Sequence, residues 1–339
     1  MNVELRQLLR VIDPAFGNDS RAWTRVTVVR NIAAIGTAAA GASEGGGGFK
    51  LLVTDRRGVP QWVGRCLGLG DPPGWLTGDH MVELSRDPVA GAHVPEVRTA
   101  ESANLRLVLT AYLGATSLRS LAERMRPEAW GKHARAVAEV ADRVTARAGT
   151  INPALLAALT VSEQERRLAR DLLMVGEAMP EMPIIEILRP FLARYAELPF
   201  RLQHGDLWSQ NVFWHSGRWW LIDFDECGEF YTPLHDRFHL LSAAPRAATE
   251  RPWFALRVDQ RPDDWGRARA AVLRDHAAQL GLDDGLVGLS LVAYLVHLIG
   301  FRMRPPLRGL FTARLIGKLT RISTYLSEGG AIEALVPLR

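Results

Sequence analysis

The segment Leu202-Gln203-His204-Gly205-Asp206-Leu207-Trp208-Ser209-Gln210-Asn211, with Leu221-Ile222-Asp223-Phe224-Asp225 after it, constrains this chain of 339 residues more than any other feature. Val212-Phe213-Trp214 and Trp219-Trp220-Leu221-Ile222 are short runs of β-branched and aromatic residues, and His215-Ser216-Gly217-Arg218 between them reads as a hairpin turn. A hairpin centred between Ser216 and Gly217 puts Asn211 roughly opposite Asp223. Opposed residues of an antiparallel pair have Cβ atoms about 5 Å apart, close enough for an Asn oxygen and an Asp carboxylate to share one cation. Asp206 lies just upstream, on the loop that enters the hairpin. Taken singly, either segment is ordinary turn sequence at a strand end. In hairpin register the two check each other.

This set of residue types suits phosphoryl transfer. The transition state of that reaction is loose, so a protein contributes positioning and charge stabilisation more than covalent chemistry. Mg²⁺ takes hard oxygen ligands and keeps several waters, so one carboxylate and one amide oxygen are a normal protein complement. Asp223 supplies the charged ligand, and Asn211 a second one that adds no repulsion. Asp206, left ionised, can accept a hydroxyl proton. Gly205 allows a tight turn before that carboxylate, and His204 suits a role in holding the loop by hydrogen bonding.

With these residues in place, the chain resembles the aminoglycoside phosphotransferase and choline kinase superfamily. That family carries a His-Gly-Asp-Leu-x-x-x-Asn loop, then a strand ending Ile-Asp-Phe or Ile-Asp-Trp and an acidic residue. His204, Gly205, Asp206, Leu207 and Asn211 match the first element, and Ile222, Asp223, Phe224 and Asp225 the second. Protein kinases have related His-Arg-Asp and Asp-Phe-Gly elements. Gly205 after the His, and Asp225 in place of that last Gly, point to the small-molecule branch. The resemblance implies an α+β, two-lobed protein-kinase-like fold. A small antiparallel-sheet lobe over residues 1–112 would bind nucleotide, and a larger, mainly helical lobe over 113–339 would carry the catalytic loop and the acceptor site. It further implies ATP as co-substrate, Mg²⁺ as cofactor, and a small hydroxyl-bearing acceptor: a sugar or glycan-related metabolite, an aminoglycoside or an amino-alcohol.

Strand patterning in the first part of the chain fits that order. Val26 to Val29, Phe49 to Thr54 and Gln61 to Leu67 alternate between turn signals, which predicts a β-meander, and Leu105 to Leu109 reads as the last strand of the lobe. Gly41 to Gly48 lies between the first two strands; in a kinase this is where a loop covers the triphosphate, with Gly46 and Gly47 at its tip. A glycine-rich hairpin tip without any ligand reads equally well from composition. The resemblance also calls for a Lys on the third strand to hold phosphate. Strand order puts Arg65 there, with Lys50 as the other cation, and Arg and Lys are not interchangeable at such a site. Glu83, in a helix expected around Trp75 to Arg86, is the candidate partner for that cation, and a solvated helix glutamate fits it equally. Thr110 to Gly114 would form the hinge, with the backbone of Ala111 and Leu113 meeting adenine.

Beyond Gly114 the apolar period becomes helical. Ser117 is a credible N-cap for Leu118 to Met125, and helices are expected over Trp130 to Val144, Arg166 to Ala178 and Ile184 to Leu198. After the second motif, Asp225 and Glu226 are acidic residues suited to an acceptor site, while Asp236 matches the acid that anchors the catalytic loop in relatives. From Arg302 to Arg321 there are six basic residues and no acid. Phe311, Leu315, Leu319, Ile322 and Leu326 recur at helical spacing, which turns Arg314, Lys318 and Arg321 outward. A solvated face is the plainer reading of that pattern, and contact with an anionic acceptor or a membrane surface the bolder one.

Composition narrows the classes. A formal charge of +4 over 339 residues is too small an excess to suggest a nucleic-acid partner. Two cysteines, Cys66 and Cys227, cannot build a disulfide framework, and no Cys/His spacing suggests zinc. The first residues lack the apolar stretch of a secretory signal. Leu286 to Phe301 is the most apolar run, and reads as a buried helix too short to span a bilayer. A cytoplasmic enzyme is the expectation. A pseudokinase, holding nucleotide or a partner without turnover, is the alternative: the missing Lys favours it, and intact Asp206, Asn211 and Asp223 oppose it.

Overall fold

The computed structural model describes residues 25–29, 49–55, 57–68, 78–101, 105–242, 263–304 and 312–336. Five strands, β1 (Arg25–Val29), β2 (Phe49–Thr54), β3 (Pro60–Gly68), β4 (Val97–Glu101) and β5 (Leu105–Ala111), form an antiparallel sheet in the order β1-β2-β3-β5-β4. The expected meander is β1-β2-β3, and β5 is the last strand of the sheet in chain order, as expected. After β3 the chain leaves the sheet through helix α1 (Gly78–Arg86), returns at the edge as β4, and β5 inserts between β3 and β4. The start of α1 packs directly on the sheet, because a Cβ at Gly78 would meet Thr99 Cγ2 at 2.6 Å and Val108 Cγ2 at 3.5 Å. The turn joining β2 to β3 is built by Asp55, whose Oδ1 accepts the N–H groups of Arg57 (2.8 Å) and Val59 (2.9 Å), an Asx-type device that the sequence there invites.

The remainder is mostly helical. Ser117 caps α2 (Leu118–Ala122), its hydroxyl accepting the Ser120 N–H at 3.2 Å. The helix α3 (Pro127–Ile151) turns Val137, Val140, Ala141 and Val144 into the core. After it come α4 (Ala154–Ala157), α5 (Val161–Ala178) and α6 (Ile184–Leu192). The last is shorter than the sequence suggests. Pro190 removes an N–H from its interior, the helix ends two residues later, and a separate 3₁₀ turn covers Tyr195–Glu197. Then follow α7 (His235–Ser242), α8 (Asp264–Gln279), α9 (Asp284–Met303) and α10 (Thr312–Ser327).

Two expectations about this end of the chain need correcting. The apolar run belongs to a 20-residue helix, α9, long and apolar enough by length and composition to cross a membrane; yet 83% of its most apolar stretch is buried, against α5, α7 and α10. It is the central helix of the core. The basic residues between 302 and 321 do not share one face either. Arg302 and Arg304 belong to the C-terminal end of α9 and pair inward, with Glu226 (2.9 Å) and Glu229 (2.8 Å). On α10 itself Arg314 and Arg321 are exposed, but Lys318 is half-buried, and burial lowers its ammonium to about 8. Leu319, Ile322 and Leu326 carry the buried side of that helix, while Arg308 and Phe311 lie outside the described residues.

Candidate active site

A second, three-stranded sheet carries the site: β6 (Thr116–Ser117), β7 (Val212–His215) and β8 (Arg218–Leu221) in that order. The β7–β8 turn is a two-residue loop with Ser216 at φ +51° and Gly217 at φ +77°, the pair of left-handed residues a type I′ hairpin requires. Val212 faces Leu221, and the Ile222 N–H donates to the Asn211 carbonyl at 3.0 Å. Asn211 thus stands opposite Ile222, one residue short of the expected Asp223. The short turn fixes this register. Asp223 lies one step beyond the ladder, exposed, and turns there with φ +65°. A non-glycine residue held in that region marks a backbone over-determined by its surroundings.

The catalytic-loop side is built differently. Asn211 Nδ2 donates to Asp206 Oδ2 at 2.8 Å and to the Asp206 carbonyl at 2.9 Å. Both donor interactions fix the amide flip, so Asn211 Oδ1 is the end left to act as a ligand. The other carboxylate oxygen, Asp206 Oδ1, lies 3.1 Å from His239 Nε2 on α7. Burial alone would raise the Asp206 carboxyl; the hydrogen bond from His239, with the charges of His239, His204 and Arg302, outweighs burial and holds it at about 2. An ionised, oriented carboxylate is the form a proton acceptor needs.

The loop backbone hangs from the same helix. Asp236 Oδ2 accepts the His204 N–H at 2.7 Å and Asp236 Oδ1 the Gly205 N–H at 3.0 Å, all buried. His235 Nε2 donates to the Gly205 carbonyl at 3.1 Å. His204 Nε2 donates to the Ile222 carbonyl at 3.1 Å and its ring lies 4.2 Å from that of Phe224, which ties the loop to the exit of β8. Burial pushes the His204 imidazole below its usual value, against the pull of Asp236, Asp206 and Asp223. Gly205 is required twice over: its φ is +92°, and a Cβ there would meet the Glu226 carbonyl oxygen at 2.3 Å.

Next to Gly205, Glu226 Oε1 pairs with Arg302 Nη2 at 2.9 Å. Burial raises the Glu226 carboxyl to about 8, with Arg302 pulling the other way and Asp206, Asp223 and Glu229 adding to the rise. Asp225 is exposed beside it. Trp208 presents its ring edge-on to His239 with centroids 5.2 Å apart. His235 and His239 escaped the sequence reading, and Arg302 was read only as the first of a run of basic residues. The first two carry a usable signal: they share α7 with Asp236, and residues three or four apart on a helix share a face.

The residues expected from the sequence to meet nucleotide are placed less completely. Arg65 stands opposite both Lys50 on β2 and Val108 on β5, so the two candidate cations occupy one cross-strand row. That row continues through Val108 to Thr99, where α1 packs. Glu83 is exposed on α1, and the Arg65 side chain, like Gly46 and Gly47, lies outside the described residues. Ala111 ends β5, and its N–H already donates to the Glu96 carbonyl at 2.9 Å. Only its carbonyl is left for a purine edge, which corrects the expectation for that residue; the sheet takes the amide first. Leu113 is half-buried in the irregular link to β6.

Comparisons with known proteins bear on the fold and the family. Among solved structures, the ethanolamine kinase of Plasmodium vivax superposes with a TM-score of 0.52 at 12% identity, covering 88% of this chain and 81% of that one. A choline/ethanolamine kinase family protein of Mesorhizobium loti gives 0.50 at 13% identity, covering 100% and 99%. At such identities the likeness is one of fold: a kinase-like α+β architecture. No curated protein matches the chain in sequence. The profile of the phosphotransferase enzyme family (APH) matches residues 81–273. That span is more than half of the chain and contains the whole catalytic loop and hairpin, so the chain belongs to the phosphotransferase enzyme family.

Proposed function

We propose that this phosphotransferase moves the γ-phosphoryl group of ATP, with Mg²⁺, to a hydroxyl of a small molecule. The observation that carries the reading is the clamped Asp206: one oxygen bound by Asn211, the other by His239, and the carboxyl held ionised. Asp206 takes the acceptor's hydroxyl proton as that oxygen bonds to the γ-phosphorus; the bond from phosphorus to the bridging oxygen of ADP breaks, and ADP leaves. Asn211 Oδ1 and the exposed Asp223 carboxylate are hard oxygen donors that fit a Mg²⁺ ion, with water and phosphate oxygens completing its shell. When bound, that ion supplies neutralisation of phosphate charge. Arg65 is the candidate cation for the remaining phosphates. Asp225 and the Glu226–Arg302 pair border the acceptor side, which suits a polar acceptor such as a sugar, an aminoglycoside or an amino-alcohol. Arg65 in place of Lys favours the second reading, nucleotide binding without turnover.

Thermal shift with ATP, GTP and ADP, with and without Mg²⁺, tests this. A ligand at 100 times its Kd adds about 2.7 kcal/mol to the native state. The expected result is a Mg²⁺-dependent shift that disappears in Asp223→Ala and survives in Asp206→Asn, with ADP release lost in both. Binding without ADP release against a panel of hydroxyl acceptors would select the second reading. No shift with any nucleotide would reject both.

A further inference from the structure

Among the described residues, His239 makes a side-chain contact on Asp206 that nothing in the motif accounts for. It sits on α7 one turn beyond Asp236, is 5% exposed, and places Nε2 at 3.1 Å from Asp206 Oδ1. An ionised carboxylate can only accept, so the proton of this contact sits on Nε2. The opposite nitrogen, Nδ1, lies 3.5 Å from the Tyr294 hydroxyl on α9. Ring contacts fix the plane of the imidazole: Trp208 edge-on at 5.2 Å, Tyr294 at 6.2 Å and 83°, His235 at 6.0 Å and 19°. A histidine whose ring is held on every side and whose single donor meets the working carboxylate is built to aim that carboxylate.

We propose that His239 is a positioning residue for the transfer: its Nε2–H holds Asp206 Oδ1, while Asn211 holds Oδ2, so that the carboxylate has one orientation when the acceptor hydroxyl arrives. The acceptor's proton goes to Asp206. The side chains of the other two α7 residues bear on loop backbone, Asp236 on two N–H groups and His235 on a carbonyl, while the Asp236 N–H donates to Gln203 Oε1 at 3.3 Å. Helix α7 therefore sets the loop's path through Asp236 and His235, and the direction of the reacting group through His239. This inference rests on the phosphotransfer reading given above.

The test uses the full chain with Mg·ATP, reading Kd by thermal shift and ADP release with water or the best acceptor from a panel. His239→Phe keeps the ring packing and removes the donor; His239→Gln restores an N–H near the same place. Turnover is expected to fall about 10- to 100-fold in His239→Phe, with Kd and KM for ATP within about threefold, and to recover most of the way in His239→Gln. Wild-type turnover in His239→Phe, or no recovery in His239→Gln, overturns the proposal. A second measurement needs no turnover. In ¹⁵N-histidine spectra, the resonance missing from His239→Gln should show a protonated Nε2 that moves in Asp206→Ala; a bare Nε2, or one unmoved, overturns it. Failure of wild type to bind Mg·ATP would instead strike the phosphotransfer reading, while the spectra still decide whether His239 holds Asp206.

Discussion

Asp206 takes its direction from side chains, whereas Asp223, at the same site, takes its direction from backbone. Asn211 and His239 grip the first carboxylate, and the loop beneath it hangs from Asp236 and His235, all of these loop anchors buried. The second is exposed, and what defines it is a left-handed φ of +65° where the chain leaves the hairpin. The difference suits the roles proposed for the two groups. A proton acceptor has to present one lone pair in one direction, which needs directional hydrogen bonds. A cation ligand needs charge at a fixed place and tolerates more angular spread, so a bend in the chain suffices. The two halves should therefore break in different ways.

The largest effect is expected at Asp236, where one carboxylate serves two buried N–H groups. Asp236→Asn keeps the volume but offers a single acceptor oxygen without charge, leaving one donor unpaired. A loss of about 2–4 kcal/mol should follow, read as a lower urea midpoint at unchanged m. A loss below 0.5 kcal/mol, on the scale of an ordinary surface change, would mean that the loop is held elsewhere. Glu226, which lies against Gly205, adds a pH-dependent strain on the same side. Its folded-state value is raised from 4.5 to about 8, so the native state keeps a proton that the unfolded chain has shed. Stability from this group therefore falls as pH rises from about 4.5 to about 8. Glu226→Gln cannot titrate, and its stability relative to wild type should rise by about 3 kcal/mol between pH 5 and 8. Parallel pH curves for the two proteins would show Glu226 ionised throughout, its pairing with Arg302 outweighing burial.

What was legible in the sequence divides along the same line. Asp206, Asn211 and Asp223 could be found because they lie in two local motifs joined by a short hairpin whose turn residues announce it. The long strands and α3, α5 and α9 were legible from period alone. The edge strand β4, Val-Arg-Thr-Ala-Glu, has one buried residue, Val97, and so shows no alternation to read. Helix α8 was missed because Arg269 and His276 help form its buried face, which blurs the apolar stripe. Arg302 reaches Glu226 only through the packing of α9, a relation no local pattern encodes. A turn centred between Ser216 and Gly217 already pairs Asn211 with Ile222, so the expected placement of Asp223 was one step off by count, and only the left-handed bend that follows is invisible in Ile-Asp-Phe-Asp.

That bend can be tested by separating carboxylate from conformation. Asp223→Ala and Asp223→Gly both remove the ligand, and both should abolish Mg²⁺-dependent nucleotide binding. They differ in strain, since only glycine adopts φ +65° without cost. Asp223→Gly should be the more stable of the two by about 1 kcal/mol. Equal stabilities would place the strain elsewhere and weaken the claim that backbone positions this group.

The smallest effect, and the cleanest, lies at the far end of the hairpin. Ser216 holds φ +51° next to Gly217 at +77°, yet serine is not among the residues that favour the first position of a type I′ turn. Asparagine is, because its side chain hydrogen-bonds locally and it tolerates left-handed φ. Ser216→Asn should therefore raise stability by about 0.5 kcal/mol, without altering Mg·ATP affinity. Ser216 is exposed, and its neighbour Gly217 has nothing within 4 Å of where a Cβ would sit, so no packing change confuses the result. The gain matters for the comparison, since the same turn sets the register of Asn211 against Ile222. A stabilised turn that leaves affinity untouched would show that the bend at Asp223 is already fully formed in the native state. A rise in affinity would show that the hairpin samples other registers, and that backbone holds the cation side less firmly than side chains hold Asp206.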